Sequence, residues 1–173
     1  HTHTHTRCRI WGGVTGHILH KVSEHHGPLS GVMLHGSLLL SASFDGKVRV
    51  FDVLTGRIIR TMGGHRNAVL TLDAKGTVLV TGGNDRDLRV WSLEESKHTD
   101  DTPVRPPQHR VSMPSGAMSL YPANSDGSQP QSPYGYALAG HNSGIQKVSI
   151  VGERIVTASD DYELRVWDFG AAR

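Results

Sequence analysis

Four short segments, RIW at 9–11, RVF at 49–51, RVW at 89–91 and RVW at 165–167, place aromatic residues at positions 11, 51, 91 and 167. The first two intervals are both 40 residues and the third is 76, as though 36 residues had been inserted into one copy of a 40-residue unit. A period of that size constrains the fold more than any single motif. Each unit must repeat one supersecondary structure and bury its apolar face against its neighbours. Two further markers keep the same register. His25, His65 and His141 precede a branched apolar residue (Leu29, Val69, Ile145) by four positions and the aromatic Phe51, Trp91 or Trp167 by 26. Asp45, Asp85 and Asp161 stand 20 residues after each histidine and six before each aromatic. Three rulers without a one-residue slip exclude chance as the source of the pattern.

Within each unit the periodicity is that of short strands. LLLSASF (38–44), VLVTGG (78–83) and RIVTASD (154–160) are β-rich runs that end in small residues. A polar turn follows each, FDGK, NDRD or DDYE, and then a second strand, VRVFDV, LRVWSL or LRVWDF. Asp45-Gly46 is a strong hairpin signal. LSGVML, VLTLDA and IQKVSI predict another strand after each histidine, and GRIIRTM (56–62) predicts a weaker one after the aromatic. Four antiparallel strands every 40 residues describe one blade of a β-propeller.

These residues resemble the WD40 repeat family, whose unit opens on Gly-His and closes near Trp-Asp. Gly64-His65 and Gly140-His141 match the opening, whereas Glu24-His25 keeps only the histidine. Trp167-Asp168 matches the closing pair, Trp91-Ser92 and Phe51-Asp52 keep half of it, and Trp11-Gly12 is similar to the close of a preceding blade. The resemblance implies an all-β fold, a WD40-type β-propeller fragment of three four-stranded blades plus the closing part of a preceding one. The expected divisions are a low-complexity tail (1–6), a blade remnant (7–24), blade one (25–64), blade two (65–140) with a disordered insert at about 95–133, and a last blade (141–173) lacking its outer strand. Rings of this kind close with about four to eight blades. Missing N-terminal blades are therefore expected, with WDFGAAR as the genuine end of a longer polypeptide.

The resemblance also implies a hydrogen-bonded network in each blade, formed by the histidine, a Ser or Thr of the second strand, the turn aspartate and the tryptophan. Blade three supplies His141, Ser159, Asp161 and Trp167. Blade one supplies His25, Ser43 and Asp45, but Phe51 has no N–H; blade two supplies His65, Asp85 and Trp91, but Gly83 takes the hydroxyl's place. A carboxylate can fix one imidazole nitrogen while the other meets a hydroxyl that accepts from the indole. The competing reading is a Ser159–His141–Asp nucleophilic triad. No nucleophile elbow or oxyanion glycine surrounds Ser159, and three imperfect copies suit bracing better than an active site, so no catalytic residue and no enzyme is expected.

Composition narrows the function further. Eighteen Lys and Arg stand against 16 Asp and Glu for a net charge of +2, spread along the chain, whereas a nucleic-acid binder concentrates its basic residues on one face. The lone Cys8 allows no internal disulfide and favours a reducing, intracellular compartment, cytoplasmic or nuclear. No run approaches the roughly 18 apolar residues of a membrane span, and HTHTHTRCRIWGG lacks the apolar core of a secretory signal. HTHTHT puts three histidines within reach of a metal, but nothing orients them, and a passive tail, even an artefact of a gene model, is expected instead. Asp85 with Asp87 and Asp160 with Asp161 lie in turns, where capping is the ordinary role. With no GxxxxGK loop and no dinucleotide fingerprint at Gly12, Gly13 and Gly16, neither metal nor cofactor is expected.

Seven of the eight prolines lie in the insert, whose Ser, Gln and Asp give it little to bury. The outer strand of blade two then comes from YGYALA (134–139) or from the region around SMPSGAMSLY, and RPPQHR reads as linker before docking peptide. The expected function is a protein-interaction scaffold or substrate-recognition propeller within a larger complex. Turns such as SFDGKVRVFD resemble those of substrate-receptor propellers joined to F-box domains in ubiquitin ligases, although no F-box lies in these residues. The family's surface positions carry over to Phe44, Asn84 and Asp160, before the turn aspartates, and to Arg66, Asn67, Asn142 and Ser143, after the histidines. The alternative is an RNA- or chromatin-associated subunit, favoured by the pI near 8.9 and the strand arginines 49, 89 and 165.

Overall fold

The computed structural model describes residues 6–94 and 135–168. The expectations for the histidine-rich tail, the proline-rich insert with its SMPSGAMSLY and RPPQHR segments, and the residues after 168 fall outside that range. Among the described residues all regular structure is β-strand, and no helix is long and apolar enough to cross a membrane.

Thirteen strands form four antiparallel sheets. The first pairs β1 (Thr6–Trp11) with β2 (Ile18–His25). Blade one runs β3 (Leu29–His35), β4 (Leu38–Ser43), β5 (Lys47–Asp52) and β6 (Ile58–Gly63) in sequence order. Blade two repeats the plan with β7 (Val69–Lys75), β8 (Val78–Gly83), β9 (Asp87–Ser92) and β10 (Gly135–Ala139). Blade three comprises β11 (Ile145–Val151), β12 (Arg154–Ser159) and β13 (Leu164–Asp168). Two sheets are thus four-stranded and the third has three strands among the described residues, as an open, partial propeller. β10 pairs with β9 from Gly135↔Trp91 to Ala139↔Asp87, so GYALA is the outer strand of blade two.

The period-2 alternation of strand side chains explains how the sheets stack. In blade two, Leu79 lies opposite Trp91 and Val80 opposite Val90. Leu79 and Trp91 face blade one and pack with Leu40, Ala42, Val48, Val50 and Met62. Val80, Leu88 and Val90 face blade three and pack with Ile145, Val148 and Ile155. Each such fully buried aliphatic side chain contributes about 1.5–3 kcal/mol. Ile10 and Val22 of the first sheet meet Leu39 and Phe51 in the same manner. Blade three shows what an unstacked face looks like. Leu164 is 75% and Val166 60% exposed, whereas their counterparts Leu88 and Val90 are 0% and 7% exposed.

Candidate functional site

Two kinds of connection meet at one end of the sheets: the links that carry His25, His65 and His141, and the turns between β4 and β5, β8 and β9, and β12 and β13. Backbone bonds tie each turn to its link, from Phe44 N to the Pro28 carbonyl (2.9 Å), Asn84 N to Ala68 (2.9 Å) and Asp160 N to Gly144 (3.1 Å). Side chains beneath them complete the join.

In blade two, His65 Nδ1 stands 2.9 and 3.0 Å from the two carboxylate oxygens of Asp85, and Nε2 is 2.8 Å from Thr81 Oγ1. The Trp91 indole N–H donates to the same Thr81 oxygen at 2.9 Å. A proton on Nδ1, held by the carboxylate, leaves Nε2 as an acceptor, so the threonine hydroxyl donates to the ring and accepts from the indole. Asp85 also accepts from the backbone of Arg66 at 2.9 Å, which fixes the loop after the histidine. Blade three has the same set: His141 to Asp161 (2.9 Å) and Thr157 (2.7 Å), Trp167 to Thr157 (3.1 Å), and Asn142 N to Asp161 (2.8 Å).

The hydroxyl of the network therefore differs from the expectation. It belongs to Thr157 rather than Ser159, to Ser41 rather than Ser43, and blade two, far from lacking one at Gly83, has Thr81. Residues i and i+2 of a strand share a face, and the nearer position to the indole wins. Ser43 and Ser159, one pleat further along, donate to the carbonyls of Gly27 and Ser143 at 3.0 and 3.1 Å and accept from the N–H of Asp45 and Asp161. A Cβ at Gly83 would stand 2.5 Å from His65 Nδ1, so that position in blade two accommodates no serine without a shift. The missed signal was a fourth ruler, a hydroxyl 16 residues after each of His25, His65 and His141.

Blade one is built differently. His25 meets Asp45 at 3.0 Å and Ser41 at 2.7 Å, but no indole reaches Ser41. Instead the Arg49 guanidinium enters the site, donating to Asp45 at 2.9 Å and lying against His25 Nδ1. Arg49 is buried, a role that its sequence position did not reveal.

The charges follow from this geometry. Burial alone would push all three aspartates up, but their bonds reverse it. Asp85 lies below the usual carboxylate range because of His65 and the Arg66 and Asp87 amides. Asp45 is held well below it by Arg49, the His26 amide and His25, and Asp161 by the Asn142 amide and His141. His25 is pushed down, first by burial and further by Arg49, against the Asp45 bond that raises it.

Around these braces the other expected positions face solvent. Phe44 is 52% exposed, and Arg66, Asn67, Asn84, Asn142 and Asp160 are exposed, while Ser143 is half-buried with its carbonyl engaged by Ser159. Ser159 makes no bond to His141, and the hydroxyl that does, Thr157, is fully buried; the Ser-His nucleophile geometry is not formed. Ligand atoms of His141, Asp161 and Glu163 lie within 4.8 Å of one another. His141 and Asp161 are bonded to each other and Glu163 to Arg165 at 2.7 Å, which leaves that trio engaged as a brace.

The WD domain, G-beta repeat matches residues 16–52, 56–92 and 133–168, and the chain belongs to the WD40 repeat family. Each matched unit starts near the outer strand of one sheet and ends on the third strand of the next, so one sequence repeat spans two blades. The chain is 30% identical over 148 residues to Mitochondrial division protein 1 of Neurospora crassa, covering 79% of this chain and 21% of that protein. It is 30% identical over 132 residues to Ribosome biogenesis protein YTM1 of Eremothecium gossypii, covering 75% and 24% respectively. The chain thus spans about a fifth to a quarter of these relatives. Among solved structures, the computationally designed Ika4 protein matches 95% of this chain and 81% of its own (TM-score 0.67, 19% identity). The WD40 propeller domain of Doa1 matches 95% and 44% (TM-score 0.63, 19% identity). Both show the fold. The propeller of this family is generally a non-enzymatic scaffold for protein interaction.

Proposed function

We propose that these blades form part of a propeller that recognises a protein partner through the histidine-and-turn end, as a subunit of a larger intracellular assembly. One observation carries the reading: Phe44, half-exposed on a turn, sits directly beside Asp45, which is clamped by His25, Arg49 and two backbone amides. A large apolar side chain held in water on a rigid base suits an interface anchor. Asn84 and Asp160 occupy the same place on the next two blades, with Arg66, Asn67, Asn142 and Ser143 on the adjoining links. The names of the relatives, in mitochondrial division and ribosome biogenesis, fit subunits of assemblies and an intracellular setting. The uncovered Leu164 and Val166 call for further blades to close the ring.

The nucleic-acid alternative keeps the pI near 8.9 but loses its strand arginines. The three strand arginines that favoured it are paired with carboxylates, Arg49 with Asp45, Arg89 with Asp87 and Arg165 with Glu163. Purification of the full-length protein with its partners tests the reading. Phe44→Ala is expected to lose them while Leu54→Ala, 80% exposed on the opposite end, retains them. Equal retention by both variants would refute it.

A further inference from the structure

The turn after the second strand occurs three times with one backbone plan: Gly46 N, Arg86 N and Tyr162 N each donate at 3.2 Å to the carbonyl of the residue three positions back. In all three the corner residue is left-handed, with φ of 75° at Gly46, 72° at Arg86 and 65° at Tyr162. Glycine adopts that conformation freely, whereas a residue with a Cβ is strained there. Blade one takes the unstrained solution. Blades two and three do not, and both of their corner side chains project into solvent, Tyr162 with 100% exposure. Strain kept at an exposed corner has no packing to justify it and points to use of the side chain.

Arg86 is not alone. Arg66 follows His65 on the adjoining link, and its amide is bonded to Asp85 at 2.9 Å, so two exposed arginines spring from backbone positions locked together. Asp85 forms no ion pair with either, its oxygens being engaged by His65, the Arg66 amide and the Asp87 amide. Neither guanidinium has a partner among the described residues. On blade three the same end is acidic, with Asp160 exposed and bonded to Gln146 at 2.6 Å. A nucleic-acid backbone needs a continuous basic track and would meet repulsion one blade away.

Building on the protein-recognition reading, we propose that Arg66 and Arg86 grip the carboxylates of a short acidic segment of a partner protein, which lies along blade two and clear of the acidic turn of blade three. Paired guanidinium forks suit carboxylates in geometry and charge. The corner residue Arg86 thus joins the recognition surface as a determinant of specificity.

An array of short random peptides probed with the full-length protein tests this, followed by anisotropy titration of the retained peptides. Asp- and Glu-rich peptides are expected to be retained, and Arg86→Gly to weaken them by at least about tenfold while leaving the thermal midpoint unchanged or raised, because it relieves the strained corner. Arg66→Gln, at an unstrained position, is expected to weaken the same peptides. Acidic peptides insensitive to both variants would overturn the proposal. So would displacement of the peptides by single-stranded RNA of equal charge. Retention of neutral or basic peptides alone would overturn it while leaving protein recognition standing; retention of none would count against both.

Discussion

Blades one and two carry the histidine, hydroxyl and aspartate of the brace at the same spacing, yet they are held by different chemistry. In blade two the chain of bonds runs from Trp91 through Thr81 and His65 to Asp85. In blade one it stops at Ser41, and Arg49 enters from the other side to hold Asp45. Blade one departs in two places, Glu24 for glycine and Phe51 for tryptophan. A Cβ at Gly64 would lie 2.7 Å from Arg89 Nη1 and 3.5 Å from the Trp91 ring, and one at Gly140 2.9 Å from the Trp167 ring. The glycine of the opening pair thus gives room to the strand arginine in both blades and to the indole at Gly140, the indole's approach at Gly64 being ordinary contact. Blade one has Glu24 at that place, the smaller Phe51 ring, and Arg49 turned inward.

The largest effects should come from the hydroxyls. Thr81→Val strands both His65 Nε2 and the Trp91 N–H and is expected to cost about 2–3 kcal/mol, against about 1 kcal/mol for Ser41→Ala, which has no indole to strand. Thermal denaturation of both variants checks the gap. Next is the linked departure. Phe51→Trp alone is expected to destabilise by about 1–2 kcal/mol through overpacking, and adding Glu24→Gly to recover most of it; a double-mutant cycle without coupling would separate the two residues again. Ser159→Ala, which loses the bond to the Ser143 carbonyl and the one from the Asp161 amide, is expected to cost about 0.5–1 kcal/mol, measurably less than Thr157→Val.

The smallest effect is in pH. A histidine whose folded pKa lies below its unfolded value of about 6.5 contributes stability that is fully present above that pH and is lost as the pH falls. His25 has that sign, with Asp45, Arg49, Ser41 and His26 around it. The aspartates, also lowered, contribute stability that is present above about pH 4 and lost only in stronger acid. As the pH falls between those limits, the protection of β4 and β5 amides relative to their intrinsic exchange should decrease, and His25→Gln should remove the change.

The blades were legible because repetition forces one strand pairing on each unit, and the rulers survived even an insertion within blade two. GYALA could be placed across that insertion since β9 needed an outer neighbour. The histidines and turn aspartates were legible for the same reason. The hydroxyl was not, because positions 41 and 43, or 157 and 159, share a face of their strand and differ only in depth. Arg49 was not legible either: it stands in register with Arg89 and Arg165, which are only half-buried, and nothing in its spacing sets it apart from them. Arg86 and Tyr162 escaped notice because a left-handed corner is marked in sequence by Gly46 alone.

The central claim is that the histidine sets are braces whose strength depends on the indole. Urea denaturation of His65→Ala and His25→Ala in the full-length protein tests it most directly. The account predicts a clearly lower midpoint for His65→Ala, with His25→Ala cushioned by the remaining Arg49–Asp45 pair and the slopes unchanged. Equal midpoints, or a lower one for His25→Ala, would contradict it.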